Sequence, residues 1–229
     1  MENLKTGSKG NLVTYLQKKL VVLNYPVTVN GDFDQLTDDT VKNYQRKKGL
    51  TDDGIVGGNT WVMVYTDTEH PRDALKRIER HNDINQLHPI VRKAAVKVFV
   101  QLQSEGIPFR IYEAYRFPER QADLYAQGRT KPGPIVTYAQ PWSSYHQYGL
   151  AIDFVLFENG EWSWNDAGSK AKLWSKMHEL GTQEGLMRLG FETPHLQIMG
   201  TSSSALRSGV YPAGGDKLWY NNFMSALGK

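Results

Sequence analysis

The stretch SSYHQYGLAIDF, residues 143–154, sets one aspartate inside an otherwise apolar run. In LAIDFVLF (150–157), Asp153 shares a face with Ala151 and Val155, while Leu150, Ile152, Phe154 and Leu156 line the other. Apolar residues on both faces predict a central strand covered from two sides. An ionised carboxylate left alone there would cost more than the net stability of a domain, so Asp153 must have a partner. An arginine, a ring of hydrogen bonds or a metal ion would each serve.

Two histidines stand where they can reach it. His146 precedes Gly149, which puts it in the turn entering the strand. His195 opens a second short strand within FETPHLQI (191–198), with Glu192 three residues earlier. Thr193 precedes a proline and is biased to extended backbone, which argues against the helical two-histidine motif of many metalloproteases. His146, Asp153 and His195 form a ligand set without a thiolate, suited to a catalytic Zn²⁺ that keeps one position for water. Glu192 beside it is the candidate general base. Arg116, at the end of the strand FRIYEAYR (109–116), is the candidate cation for charge building on an attacked carbonyl. Ser144 reads as an orienting hydrogen-bond partner, because no nucleophile-elbow motif surrounds it. His178 lies on a predicted helix, and His70, His81 and His88 lack partners at ligand spacing.

Around these residues the chain divides. Leu12, Leu16, Leu20 and Leu23 fall on one helical face, as do Val41 and Tyr44 later. Thr37 is read as the cap of that second helix and Gly49 as its stop. NGDFDQLTDDTV (30–41) and DDGIVGGNTWVMV (52–64) echo each other as a turn followed by a helix. Residues 1–65 thus predict a small helical unit, 66–80 a polar linker and 81–229 a second domain. In the latter, Pro89 opens a helix striped by Val91, Ala95, Val98, Phe99 and Leu102 and closed by Gly106. A helix follows over Pro118–Gly128, then the strand 150–157, a Trp-rich loop (158–168), a helix over Ser169–Leu180 and a last strand at 195–199. The tail ends in a further helix. Strands and helices alternate without a βαβ rhythm, which predicts an α+β fold with a mostly antiparallel sheet.

Composition narrows the function. The 229 residues are 40% hydrophobic, enough for a real core, and carry a formal charge of +3. Basic residues cluster no further than QRKK (45–48), so nucleic acid is not an expected partner. No apolar run is long enough for membrane insertion, and the first residues do not form a secretory signal. Cysteine is absent, which excludes disulfides, thiolate metal sites and a cysteine nucleophile.

Residues 4–64, from LKTGSKGNLVTYLQKKL to TDDGIVGGNTW, resemble the peptidoglycan-binding module of bacterial and phage cell-wall enzymes. The family usually has glycine where this chain has Asp34. The resemblance implies a three-helix bundle and bacterial peptidoglycan as partner. SYHQYGLAID with ETPH resembles the zinc peptidases that include D-alanyl-D-alanine carboxypeptidases and L-alanyl-D-glutamate endopeptidases. Ser144, His146, Gly149, Ala151, Asp153, Glu192 and His195 all match that pattern, and YEAYRFPERQADLYAQGRTKPGPIVT is similar to the phage endolysin branch. By that likeness His146, Asp153 and His195 bind zinc, Glu192 is the base and Arg116 steadies the oxyanion. A Trp- and Gly-rich stretch common in the family is EGLMRLGF here, and nothing past residue 200 matches.

The implied function is a zinc endopeptidase, acting as a monomer, that cuts the L-alanyl-D-glutamate bond of the peptidoglycan stem. Made in the cytoplasm without a signal peptide, it would reach the wall after release or aboard a virion. A D-alanyl-D-alanine carboxypeptidase is the alternative, and a non-catalytic wall-binding protein or a glycosidase using Glu158 and Asp166 are readings from other classes.

Overall fold

A computed structural model describes residues 1–69 and 76–228. His70 and part of the expected linker lie outside the described residues. Three helices come first: α1 (Asn11–Val22), α2 (Gln35–Lys47) and α3 (Gly58–Thr68). Val13, Leu16, Leu20, Val41, Tyr44, Trp61 and Val64 are buried between them. Leu12 and Leu23, placed on the same stripe by spacing, are only partly buried at its edge. The cap of α2 is Asp34 and not Thr37: its carboxylate accepts from the Thr37 N–H at 2.8 Å. Carboxylates suit this position because they take up an orphan amide and oppose the positive end of the helix. Gly49 adopts φ 68° just past the end of α2, as its position suggested.

The echo between 30–41 and 52–64 has a structural cause. Gln17 and Gln45 are both buried, and each fastens a turn to the helix that follows it. The Gln17 carbonyl accepts from the Asn30 and Gly31 amides, while its Nε2 donates to the Asn30 side chain, Asp32 O and Thr37 Oγ1. The Gln45 carbonyl accepts from the Gly54 amide, and its Nε2 donates to Asp53 Oδ1, Ile55 O and Thr60 Oγ1. Thr37 and Thr60 occupy the same place, the third residue of their helices.

The remaining elements make an α+β unit. Helix α4 (Pro89–Ser104) starts at Pro89 behind an N-capping His88, and Gly106 follows its end with φ 72°. Helices α1 and α3 pack on α4, and Tyr65 meets Phe99 edge-on at 5.1 Å, so the core is continuous from the first helices into the second unit. The sheet contains β1 (Phe109–Glu113), β2 (Ala151–Glu158), β3 (Glu161–Ser163), β4 (Leu186–Leu189) and β5 (Glu192–Ile198). Its order is β1-β2-β5-β4, with β3 paired to the far end of β2, and each pairing is antiparallel. Helix α4 and helix α6 (Ala171–Gln183) cover one face, where Phe109 packs on Trp174. Helix α5 (Pro118–Ala126) follows β1.

Two local details depart from the reading of the sequence. The Trp-rich stretch is not all loop. Asn159 (φ 53°) and Gly160 (φ 85°) form a tight turn from β2 into β3, the Asn-Gly hairpin signal. Strand β1 also breaks the simple alternation that would put Phe109, Ile111 and Glu113 on one face. Phe109, Arg110 and Ile111 face Leu156, Val155 and Phe154 in regular register, and the register then slips by one so that Glu113 faces Asp153. This β-bulge turns Glu113 away from the helix-covered face occupied by Phe109 and Ile111, and onto the face of Asp153.

The tail forms α7 (Ser203–Arg207) and α8 (Lys217–Ala226). Asp216 caps α8 and is held by Arg92 at 2.7 Å. No described helix is long and apolar enough to cross a membrane.

Candidate metal centre

Register places the site. Asp153 stands opposite Glu113 on one neighbouring strand and opposite His195 on the other. Three side chains of one row therefore project on the face that α4 and α6 leave free. His146 arrives from the 3₁₀ turn Tyr145–Tyr148, just before β2. Ser144 caps that turn, its Oγ accepting from the His146 N–H, and the Gln147 side chain answers by accepting from the Ser144 N–H. Gly149 ends the turn at φ 66°, and a Cβ there would lie 2.8 Å from the Gln86 carbonyl. Only glycine meets both demands. The tail braces this turn from outside, with Trp219 Nε1 donating to Tyr148 O at 2.7 Å.

His146, Asp153 and His195 are all buried. His146 Nε2 lies 3.1 Å from Asp153 Oδ1 and 3.2 Å from His195 Nδ1, and the third edge, His195 Nδ1 to Asp153 Oδ1, is 3.1 Å. The outward nitrogens decide where the ring protons are. His146 Nδ1 is 2.7 Å from the Ala114 carbonyl, and His195 Nε2 is 2.9 Å from Gln197 Oε1. Both oxygens only accept, so both outward nitrogens carry hydrogen and the inward ones are bare in the neutral rings. Three lone-pair donors then face one another in a closed triangle, an arrangement that demands a cation. Ligand atoms about 2.0–2.1 Å from a tetrahedral ion stand roughly 3.3 Å apart. The observed triangle fits, and among the described residues this is the group able to hold a metal ion.

Burial works to raise the Asp153 pKa, but the charge and hydrogen bonds of His146 and His195 outweigh it and hold the carboxyl well below the usual carboxylate range. Burial pushes His195 down; the hydrogen bond and charge of Asp153, with the charge of Glu192, reverse this and raise it. The site thus favours positive charge at the triangle and the ionised form of Asp153.

Arg116 is buried and tightly held. Its Nη2 lies 2.7 Å from Glu113 Oε2 and 3.3 Å from Asp153 Oδ2, while Nη1 donates to Gln121 at 3.1 Å. Burial again pushes the Glu113 pKa up, and the adjacent Arg116 guanidinium brings it below its ordinary value. Glu192, the first residue of β5, is half-buried and makes no side-chain hydrogen bond among the described residues. It stands between two cavities that share Val136, Thr137 and Glu192 in their walls. One, of about 320 Å³, is lined by Tyr112, Arg116, Arg120, Asp153 and Trp164. The other, of about 440 Å³, is lined by Tyr138, Tyr145, Leu189, Phe191 and His195. Together they make a cleft whose walls include Asp153 and His195 of the triangle.

The structure thus brings His146, Asp153 and His195 together and sets Glu192 and Arg116 at the cleft. It gives other duties to the other described histidines: His178 donates to Thr193 O at 2.8 Å, His88 caps α4, and His81 packs on Phe117. Glu158 pairs with Lys170, and Asp166 accepts from Thr193 Oγ1, so the two acids of the glycosidase reading are engaged elsewhere. The sequence reading missed Gln197, which orients His195, and Gln121, which orients Arg116. Gln197 carries a legible signal, since it follows His195 by two residues on one strand face. Gln121 carries none, because only the tertiary fold sets α5 against Arg116.

Comparison with known proteins places this cleft in a class. Residues 84–202, just over half of the chain, match the family model described as D-alanyl-D-alanine carboxypeptidase, and the chain belongs to that family. Residues 9–64 match a model described as a putative peptidoglycan binding domain. The peptidoglycan L-alanyl-D-glutamate endopeptidase CwlK of Bacillus subtilis (strain 168) is 46% identical over 87 residues, 38% of this chain and 50% of that protein. The L-alanyl-D-glutamate peptidase of Listeria phage A118 is 32% identical over 121 residues, 51% of this chain and 39% of that protein. The chain therefore spans half or less of the length of these curated relatives. The crystal structure of Burkholderia AP3 phage endolysin covers 41% of this chain and 37% of its own at 27% identity, with a TM-score of 0.28, too low to bear on the fold.

Proposed function

We propose that this protein is a zinc-dependent endopeptidase that hydrolyses the L-alanyl-D-glutamate bond of the peptidoglycan stem, held on its substrate by residues 1–65. In this reading residues 66–80, the first three of which complete α3, join that module to a peptidase domain at 81–229, and the enzyme reaches the wall after release from the cytoplasm or as part of a virion. The observation that carries it is the closed triangle of bare donors at His146, Asp153 and His195, with an unengaged Glu192 beside it. The activities named for the two curated relatives support the choice of bond.

His146 Nε2, Asp153 Oδ1 and His195 Nδ1 would hold the zinc, whose contribution when bound is Lewis acidity at the attacked carbonyl and a lowered pKa for water. Glu192 takes a proton from the attacking water as the bond to the carbonyl carbon forms. It returns that proton to the amine nitrogen as the C–N bond breaks. The fixed charge of Arg116 opposes negative charge growing on the carbonyl oxygen, and Glu113 and Gln121 keep the guanidinium from turning away. Attachment through the first domain raises the effective substrate concentration without a new catalytic contact.

Mass spectrometry of digested muropeptides, with and without a chelator, tests this reading. New amino-terminal D-glutamate that disappears with EDTA and returns with zinc is the expected result. Loss of terminal D-alanine would instead mark a carboxypeptidase, and binding to the wall without cleavage a non-catalytic protein.

A further inference from the structure

The two halves of the cleft differ in the cationic side chains they present. The residues lining the cavity toward Tyr138 and Phe191 include neither lysine nor arginine. The cavity on the other side of Glu192 contains Arg116 and Arg120 together with Glu113 and Asp153, the acids that Arg116 engages, framed by Tyr112 and Trp164. These two guanidiniums are not equivalent. Arg116 is buried and spends its donors on Glu113, Gln121 and Asp153. Arg120, on α5, is fastened at Nε only, 2.5 Å from Glu113 Oε1. Its Nη1 and Nη2 have no hydrogen-bond partner among the described residues, although the side chain is only 17% exposed. A planar fork anchored at one end, with both terminal nitrogens free at a cavity wall, matches the two oxygens of a carboxylate.

The chemistry of the proposed bond supplies that carboxylate. A glutamyl residue joined through its amine keeps two carboxyl groups, and continuing the chain uses only one. The residue that leaves therefore carries a free carboxylate near the scissile nitrogen. A D-alanine released from a D-alanyl-D-alanine terminus carries one too. We propose, on the basis of the functional reading above, that Arg120 binds the free carboxylate of the leaving residue. The Arg116–Arg120 side of the cleft is then the leaving-group side, and the side without basic residues holds the acyl portion. Arg120 is a specificity-determining residue in this assignment, and Glu113 sets its position.

Two synthetic peptides test it: N-acetyl-L-alanyl-D-glutamate continued through the γ-carboxyl, and its twin with the α-carboxylate converted to a carboxamide. Each is given to the zinc-loaded full chain and to Arg120→Met and Arg120→Lys. The unmodified enzyme should prefer the carboxylate peptide by about tenfold or more in kcat/KM, the scale of a charge-assisted hydrogen bond. Arg120→Met should erase that preference, chiefly through KM and with zinc content unchanged, and Arg120→Lys should restore part of it. Equal losses on both peptides would make Arg120 a support of Glu113 alone and overturn the assignment. So would an unmodified enzyme indifferent to amidation. Failure of the unmodified enzyme to cut either peptide at that bond would overturn the functional reading, and this assignment with it.

Discussion

Polar side chains are buried in both halves of the molecule, and they are buried on opposite terms. In the first, Gln17 and Gln45 lie in a helical core with donors matched to acceptors throughout: amide oxygens receive backbone N–H groups, and amide hydrogens find carbonyls and hydroxyls. In the second, His146, Asp153 and His195 turn three acceptors toward one another at 3.1–3.2 Å, because their protons have been drawn to Ala114 O and Gln197. Burial is thus common to a turn fastener and to a metal centre. What separates them is proton arithmetic: the first group is complete as folded, whereas the second closes only when positive charge is added.

The strongest challenge to that contrast is His195→Ala, which removes one corner of the triangle. Zinc content by elemental analysis and muropeptide cleavage should both fall to background, while sedimentation with purified walls should continue. Retained lysis would refute the ligand assignment. Glu192→Gln keeps the triangle intact, so zinc should remain while turnover drops by about 10²–10⁴, the range of general acid–base catalysis. A loss below about tenfold would dismiss Glu192 as the base.

Gln45→Leu sharpens the other side. It strands the Gly54 amide and leaves the Ile55 carbonyl only Thr60 Oγ1, and denaturant titration should show a loss of about 1–3 kcal/mol, set by the cost of leaving a buried polar group unpaired. Zinc content should not change. The smallest effect concerns Asp34, whose pKa is lowered by the Thr37 backbone and side-chain hydrogen bonds. A depressed carboxylate adds stability above its unfolded pKa near 3.9, and that stability is lost as pH falls through the lower folded value. Asp34→Asn keeps a good cap but cannot titrate, so its stability should fall less than that of the unmodified chain as pH drops below about 4.

Legibility followed the range of the forces involved. Pro89 and Gly106 announce the ends of α4 because proline and glycine act through their own backbone angles; Asn159-Gly160 carries the same kind of local signal, although the sequence reading gives 158–168 as a loop. The cap of α2 was misplaced from the sequence because Asp34 and Thr37 are both good capping types, and only the backbone shows which lies before the first helical residue. The echo at 30–41 and 52–64 was visible, but the glutamines that explain it lie in the preceding helices and are reached only by folding.

The same division holds at the cleft. That Asp153 needs a partner follows from its apolar neighbours alone, since the cost of burying a charge is fixed by where the strand must lie. Which oxygen meets which nitrogen, that Glu113 is turned by a bulge onto the same face, and that Arg116 is pinned while Arg120 stays half free are decided by strand register and helix placement. A one-residue slip in β1 moves a side chain to the other face of the sheet, and local sequence preferences are nearly indifferent to that slip. Composition and spacing therefore determine that the chain must gather charge around Asp153, and only the packed sheet determines in which geometry.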